Sequence, residues 1–412
     1  MGALAVLLII LGCAALMYFK GSIAKGVATI IVLVCASIVA FGYFELLAGF
    51  LTAKGSSSDY PAIVPWAHTI AFSLIFIVAF ALLQTAALQL MRHRIDFGLL
   101  PERIGRPICG VLLGLFASGI ILTAAAMAPL PNKYPYQRFD ERTPNPAAPD
   151  KVLLNTDGLV TGWFAMVSKG SFSAILKPKS FATLRAGFLN QLHLNRSASG
   201  DDISLLSRSD SVQIPNKNGA WYLSEAIKDS EGNDVPAKAG HTLTVVRIGI
   251  NRNALTDAGK FTTAQIRLVC KPKTALEKPL EGKALAVYPV GYLTTAKRLK
   301  KKKLNEPITI DSSDYGQNAA QKWIDFVFYV PADHAPVLAG FKLNSLARVP
   351  NPVPDDQALP PVPFVEKAPQ KKDSRDSTGP SGTRTRRPSD TSGTRRRGPS
   401  DISRNIIGDD FN

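Results

Sequence analysis

Few residues in this chain have the type and setting to do chemistry. Glu45 is the one formally charged residue inside a long apolar run, and His68 opens the next such run. An acid held within a membrane span is a functional candidate by default. Glu45 lies 20 residues past Lys25, which is about 30 Å along a helix. It therefore falls near the far end of its span, at a depth similar to that of His68. A Glu45–His68 contact across a helical hairpin would make a proton-sensitive latch, because a neighbouring carboxylate moves an imidazole's titration. The alternative is two polar side chains that reach interfacial water. The histidines of the part after the apolar runs, His193, His241 and His334, are far apart and sit in no HxH or HExxH spacing. The four cysteines form no CxxC pair. The chain holds neither a GxSxG nucleophile elbow nor a GxxxxGK[ST] phosphate loop. No enzyme activity, cofactor or metal site is expected.

Binding chemistry is more visible. "KRLKKKKL" is the densest basic cluster, with Lys297, Arg298, Lys300, Lys301, Lys302 and Lys303. Placed in a loop between strands, it would be either a merely solvated face or a site for anionic lipid or cell-wall polymer. It has no interleaved aromatic residues on which bases would stack. "CGVLLGLFASG" places Gly110, Gly114 and Gly119 on one apolar helix. Small residues at that spacing let two helix backbones approach, either within the chain or between copies.

The elements that must carry these residues fall into unlike parts. Residues 1–130 hold only 7 basic and 4 acidic side chains. The net charge of +16 divides as +3 over 1–130, +9 over 131–365 and +4 over 366–412. Four apolar runs stand out, Ala3–Phe19, Val27–Leu51, Tyr60–Met91 and Ile108–Leu130. About 20 apolar residues span the hydrocarbon layer. The first run is marginal, but it begins "MGALAV" without a basic region, and its lysines follow it. That order is wrong for a cleaved signal peptide, so a retained first helix is expected. Lys20, Lys25, Arg92, Arg94, Arg103 and Arg106 favour cytoplasmic first and third loops. The N-terminus and everything after Leu130 would then lie outside.

Residues 131–150 read as a Pro-rich linker and 151–202 as a helical segment. Over 203–350, short Val-, Ile-, Thr- and aromatic-rich runs at 241–250, 261–270, 284–293, 306–311 and 323–330 read as strands of an antiparallel β-sandwich. Residues 351–412 turn to Pro, Ser, Arg and Asp, with the imperfect repeat "SGTRTRRPSD" and "SGTRRRGPSD". Too few apolar residues remain there to offset chain entropy, so a disordered basic tail is expected. The fold class is thus multi-domain: four transmembrane α-helices, an α+β region with a β-sandwich, and the tail.

The first 130 residues resemble the colicin V production protein family of bacterial inner-membrane proteins. The points of likeness are Lys20-Gly21 and Lys25 after the first helix, and Arg106 with Gly110, Gly114 and Gly119 in the last. The resemblance implies a multi-pass protein of the bacterial inner membrane, linked to production or export of a peptide toxin. Some members carry a trypsin-like protease after the spans, but no Gly-Asp-Ser-Gly-Gly type motif occurs between 131 and 365. The expected function is therefore an envelope protein that binds or scaffolds through an extracytoplasmic, non-catalytic domain. Its partners would be the lipid bilayer, anionic lipid or wall polymer, and envelope proteins; nucleic acid is not expected outside the cell. The alternative is a small-solute or proton-coupled transport component that uses Glu45 and His68.

Overall fold

The computed structural model describes residues 2–366, except 58–60, 92–97, 170–179, 197–202, 225–226, 237, 256–258, 279 and 316–318. The four apolar runs form α1 (Gly2–Lys20), α2 (Ile23–Ser57), α3 (Ala67–Leu90) and α4 (Leu99–Met127). All four are long and apolar enough to cross a membrane. The third starts later than the apolar run because Pro61–Trp66, with prolines at both 61 and 65, forms a 3₁₀ turn first. The fourth starts earlier, over "LLPERIGRP". There Pro101 sits in the first turn, where a missing N–H costs nothing, and Arg106 Nε donates to Glu102 Oε2 at 2.5 Å. Arg92 and Arg94 lie outside the described residues.

The turn after α1 closes with Gly21 N–H donating to the Met17 carbonyl at 3.0 Å. α2 then packs on α3 and α4, and α1 packs on α4. The glycines make the last contact close. A Cβ on Gly110 would lie 2.6 Å from Ala14 Cα, and one on Gly114 2.6 Å from Ile10 Cα. This pair therefore packs α4 against α1 within the chain. Gly119 serves another helix: a Cβ there would run into the Thr156 carbonyl of α5 (Thr156–Val167).

Two short helices follow, α6 (Phe181–Leu184) and α7 (Phe188–Asn195), parted by Gly187 at φ +64°. The segment expected as a linker is packed, with Phe139 buried beside Leu194 and Ala264.

Fourteen short strands follow among the described residues: β1 (Val212–Gln213), β2 (Ala220–Tyr222), β3 (Ile227–Asp229), β4 (Asp234–Val235), β5 (His241–Asn251), β6 (Lys260–Thr262), β7 (Ile266–Pro272), β8 (Leu285–Val287), β9 (Pro289–Thr295), β10 (Arg298–Lys301), β11 (Pro307–Thr309), β12 (Gln321–Pro331), β13 (His334–Phe341) and β14 (Ser345–Arg348). One sheet runs β1-β5-β12-β9-β10-β3-β4, with β2 also on β5. A second runs β14-β13-β7-β8, and β11 pairs with β6. Every pairing is antiparallel except β10 with β3.

β5 and β12 pair along their length, Ile248 opposite Ile324 and Val246 opposite Phe326. These side chains share one core with Ile266, Leu268 and Phe341 of the second sheet. The alternate positions, Val245 and Val327, enter a separate core with Trp221, Leu293 and Leu299. Burial on both faces explains why these strands read as nearly continuous apolar runs rather than as alternation.

The packed chain continues past the expected tail boundary at 350. Val353 bridges Trp221, Phe364 is buried against Tyr292, and Glu366 accepts from Thr309 N–H at 3.1 Å. Helices and sheets close into one unit over Met1–Glu366. The repeats beyond it lie outside the described residues.

Candidate functional site

Glu45 finds a partner that the sequence did not suggest. Its Oε1 accepts from Arg185 Nε at 2.7 Å. Arg185 caps the end of α6, its N–H donating to the Phe181 carbonyl at 2.8 Å, and Ser180 caps the start by accepting from Thr183 N–H at 3.3 Å. The guanidinium is buried, and its Nη1 donates to the Leu343 carbonyl in the β13–β14 turn. The same turn is held from α7, where Gln191 Nε2 donates to the Lys342 carbonyl at 3.1 Å. One side chain thus ties a membrane-type helix to the second sheet.

His68 lies within electrostatic range of this pair but makes no hydrogen bond to Glu45. Its ring meets the edge of Phe44 at 5.8 Å, and its Nδ1 has no partner. In place of the candidate Glu45–His68 contact, the structure pairs Glu45 with Arg185, with His68 buried alongside. A string of phenylalanines packs beneath it. Phe41 stacks on Phe164 at 4.8 Å, Phe164 meets Phe181 at 4.9 Å, and Phe181 meets Phe188 at 5.1 Å. Such pairs contribute about 0.5–1.5 kcal/mol each beyond area burial.

Arg267 of β7 adds a second buried guanidinium. Its Nη2 donates to the Leu184 carbonyl at 3.3 Å, while Nε and Nη1 have no partner. Gly340 on the facing strand makes room, since a Cβ there would lie 2.9 Å from Arg267 Nε. Burial first, and then the charge of Arg185, push Arg267 down to about 9. It remains charged at neutral pH. Burial pushes the nearby Tyr288 phenol up to about 12.

A second polar knot joins the former linker to α5 and α7. Asp157 accepts from the Tyr136 hydroxyl, which also accepts from Arg138 Nη1 at 2.8 Å. Arg138 Nε donates to Asn190 Oδ1 at 2.8 Å, and Arg196 Nη1 to the Tyr134 carbonyl at 2.9 Å. His193 sits 3.2 Å from Arg196 Nη2. Burial, then the charges of Arg196 and Arg138, hold its imidazole well below the usual range, hence neutral.

The basic cluster is not a free loop. Arg298, Lys300 and Lys301 form strand β10, and three lysines hold carboxylates. Lys301 pairs with Asp229 at 3.0 Å, Lys300 with Glu366 at 3.5 Å, and Lys302 with both Glu306 and Glu366 at 2.9 Å. The Lys302 side chain is only 6% exposed. Lys297, Arg298 and Lys303 stay at the surface. Lys20 and Lys25 flank the α1–α2 turn, and Arg106 holds Glu102.

The end of the β5–β12 pair forms a polar cleft of ≈ 470 Å³, lined by Arg208, Asp210, Asn251, Arg252 and Gln321 among others. The Arg252 guanidinium lies 5.9 Å from the centre of the Tyr315 ring. Sequence reasoning missed Arg185, Arg267 and this cleft. The signal for the two arginines was a lone charge in an otherwise apolar stretch, "FATLRAGF" and "AQIRLVC".

Compared with models of known protein families, with curated proteins and with solved structures, the chain matches none.

Proposed function

We propose that this protein is a multi-pass protein of the bacterial inner membrane whose sheet region works as a fixed, non-catalytic platform outside the cytoplasm. The helical region is of the colicin V production type, and the two larger sheets serve as a sandwich-like binding domain mounted on it. The observation that carries this reading is the Glu45–Arg185–Leu343 connection, which spans helix, connector and sheet through one buried guanidinium. A tethered module would need no such tie, whereas a scaffold that presents a surface at a set height above the bilayer would. The cleft at Arg252 and the exposed Arg298 and Lys303 suit anionic wall polymer or lipid headgroups.

The test has two arms. A phosphatase reporter fused after Glu366 is expected to be active and a fluorescent cytoplasmic reporter dark; the reverse overturns the orientation. The full chain in lipid nanodiscs is expected to be retained on purified wall fragments or on anionic vesicles, and loss of retention on both overturns the binding role.

The transport alternative rests on the unpartnered Nδ1 of His68 beside Glu45. It requires Glu45→Gln and His68→Gln to abolish solute or proton uptake in proteoliposomes while the fold is kept.

A further inference from the structure

α5 carries two stripes. Asp157, Val160, Thr161 and Phe164 are buried. Leu159, Trp163 and Met166, at i, i+4 and i+7, are 44%, 39% and 58% exposed, and Leu154 just before the helix is 65% exposed. A contiguous apolar face of this kind facing water would be unusual in a soluble region.

The contacts of the buried stripe give its depth. Phe164 stacks on Phe41 of α2, and a Cβ on Gly119 of α4 would lie 2.6 Å from Val160 Cγ2. Lys25 on α2 and Arg106 on α4 mark the far ends of those spans. A hydrocarbon layer of about 30 Å, crossed at about 1.5 Å per residue, ends near Glu45 on α2 and Ala126 on α4. Phe41 and Gly119 then lie about 6 Å and about 10 Å inside it. Interfacial helices sit about 5–10 Å into this boundary.

On these grounds, which rest on the membrane reading above, we infer that α5 is a fifth membrane-embedded helix. It lies in the leaflet nearest the sheets, with Leu159, Trp163 and Met166 against acyl chains. Three further observations fit that occupant. The stripe continues the lipid-type surface of α4, where Ile121, next but one to Gly119, is 53% exposed. The one charged residue of α5, Asp157, is buried and held by Tyr136. Trp66, just before α3, and Tyr134, just after α4, are 40% and 37% exposed. Together with Trp163 they place aromatic rings near one end of the bundle, as at a membrane–water boundary.

The test is thiol labelling of the purified full chain in phosphatidylethanolamine–phosphatidylglycerol liposomes. A charged, impermeant maleimide is supplied on both sides, and the wild-type background is subtracted. Leu159→Cys and Met166→Cys are expected to react at least about tenfold more slowly than Lys278→Cys in the aqueous part, because the reactive thiolate does not form in hydrocarbon. They should match Leu11→Cys on the exposed face of α1. Fast labelling at 159 and 166 with slow labelling at Leu11→Cys overturns the inference and leaves the membrane reading standing. Fast labelling at Leu11→Cys overturns both. Protection that disappears as lipid is added in excess assigns the face to a second copy and overturns the lipid assignment.

Discussion

Removing one partner of the Glu45–Arg185 pair should cost more than its exposure suggests, and the cost should fall unequally on the two sides. The Arg185 side chain is 4% exposed and the Glu45 side chain 40%. Glu45→Ala strands a buried guanidinium that retains the Leu343 carbonyl. Breaking a fully buried pair costs about 3–5 kcal/mol. With the carboxylate partly open, about 2–3 kcal/mol is expected here, in line with hydrogen bonds to charged groups. Arg185→Leu removes the buried charge altogether. It leaves Glu45 with a route to water and the Leu343 carbonyl unpaired, for about 1–3 kcal/mol. The double variant should cost less than the sum of the singles, with a coupling of about 1.5–3 kcal/mol. The assay is denaturant unfolding of the four proteins in one detergent, followed by tryptophan fluorescence. A coupling under about 0.5 kcal/mol, the usual error of additivity, would refute the reasoning. It would mean that the tie between helix and sheet contributes nothing to holding them.

Other perturbations follow from the same geometry. Gly114→Ala, whose Cβ would meet Ile10 Cα, is expected to cost about 1–3 kcal/mol by overpacking. Gly12→Ala, with nothing within 4 Å, should not be destabilising in the same denaturant-unfolding assay. His193 is held neutral when folded and gains a proton more readily when unfolded. Its contribution is therefore fully present above the ordinary imidazole value of about 6.5 and is lost as pH falls through and below it. His193→Gln should flatten the acid limb of a stability-versus-pH curve, and an unchanged limb would count against the buried neutral imidazole. Arg247 grips Asp325 at 2.7 and 2.9 Å with both side chains buried. Asp325→Leu alone should cost about 3–5 kcal/mol, and adding Arg247→Met should restore much of it, as read from unfolding midpoints at constant slope.

Long, strongly patterned elements were legible in the sequence, and their interruptions were not. The runs at 241–250 and 323–330 correspond to β5 and β12 because β-branched and aromatic side chains dominate them. The run at 261–270 is broken, since Thr262 and Gln265 form a capping box that starts a 3₁₀ turn before β7. The run at 284–293 divides at Tyr288, and its two halves enter different sheets. β13 was missed because "HAPVLAGF" contains Pro336 and Gly340. The structure accommodates the proline at a register shift in the ladder, where a missing donor is tolerated. In the site, Glu45 was visible as a charge in an apolar run. Its partner was not, because Arg185 lies 140 residues away and no local pattern encodes that pairing. The lysine cluster looked like a free surface because two of its three acids, Asp229 and Glu366, are likewise remote in sequence, and only Glu306 is near.

The glycine seam sets an order of events for assembly. Of these four helices α1 is made before the other three, and its close partner α4 after them. Until Gly110 and Gly114 arrive, Ala14 and Ile10 lack the helix they pack against. The intervening hairpin of α2 and α3 can pair as soon as it inserts. The shortest span must then wait, singly inserted, through the synthesis of some eighty further residues, about the distance from Lys20 to Leu99. A change that slows insertion of the fourth span should therefore show itself first as loss of the first, by slippage or proteolysis near the N-terminus rather than near the altered site.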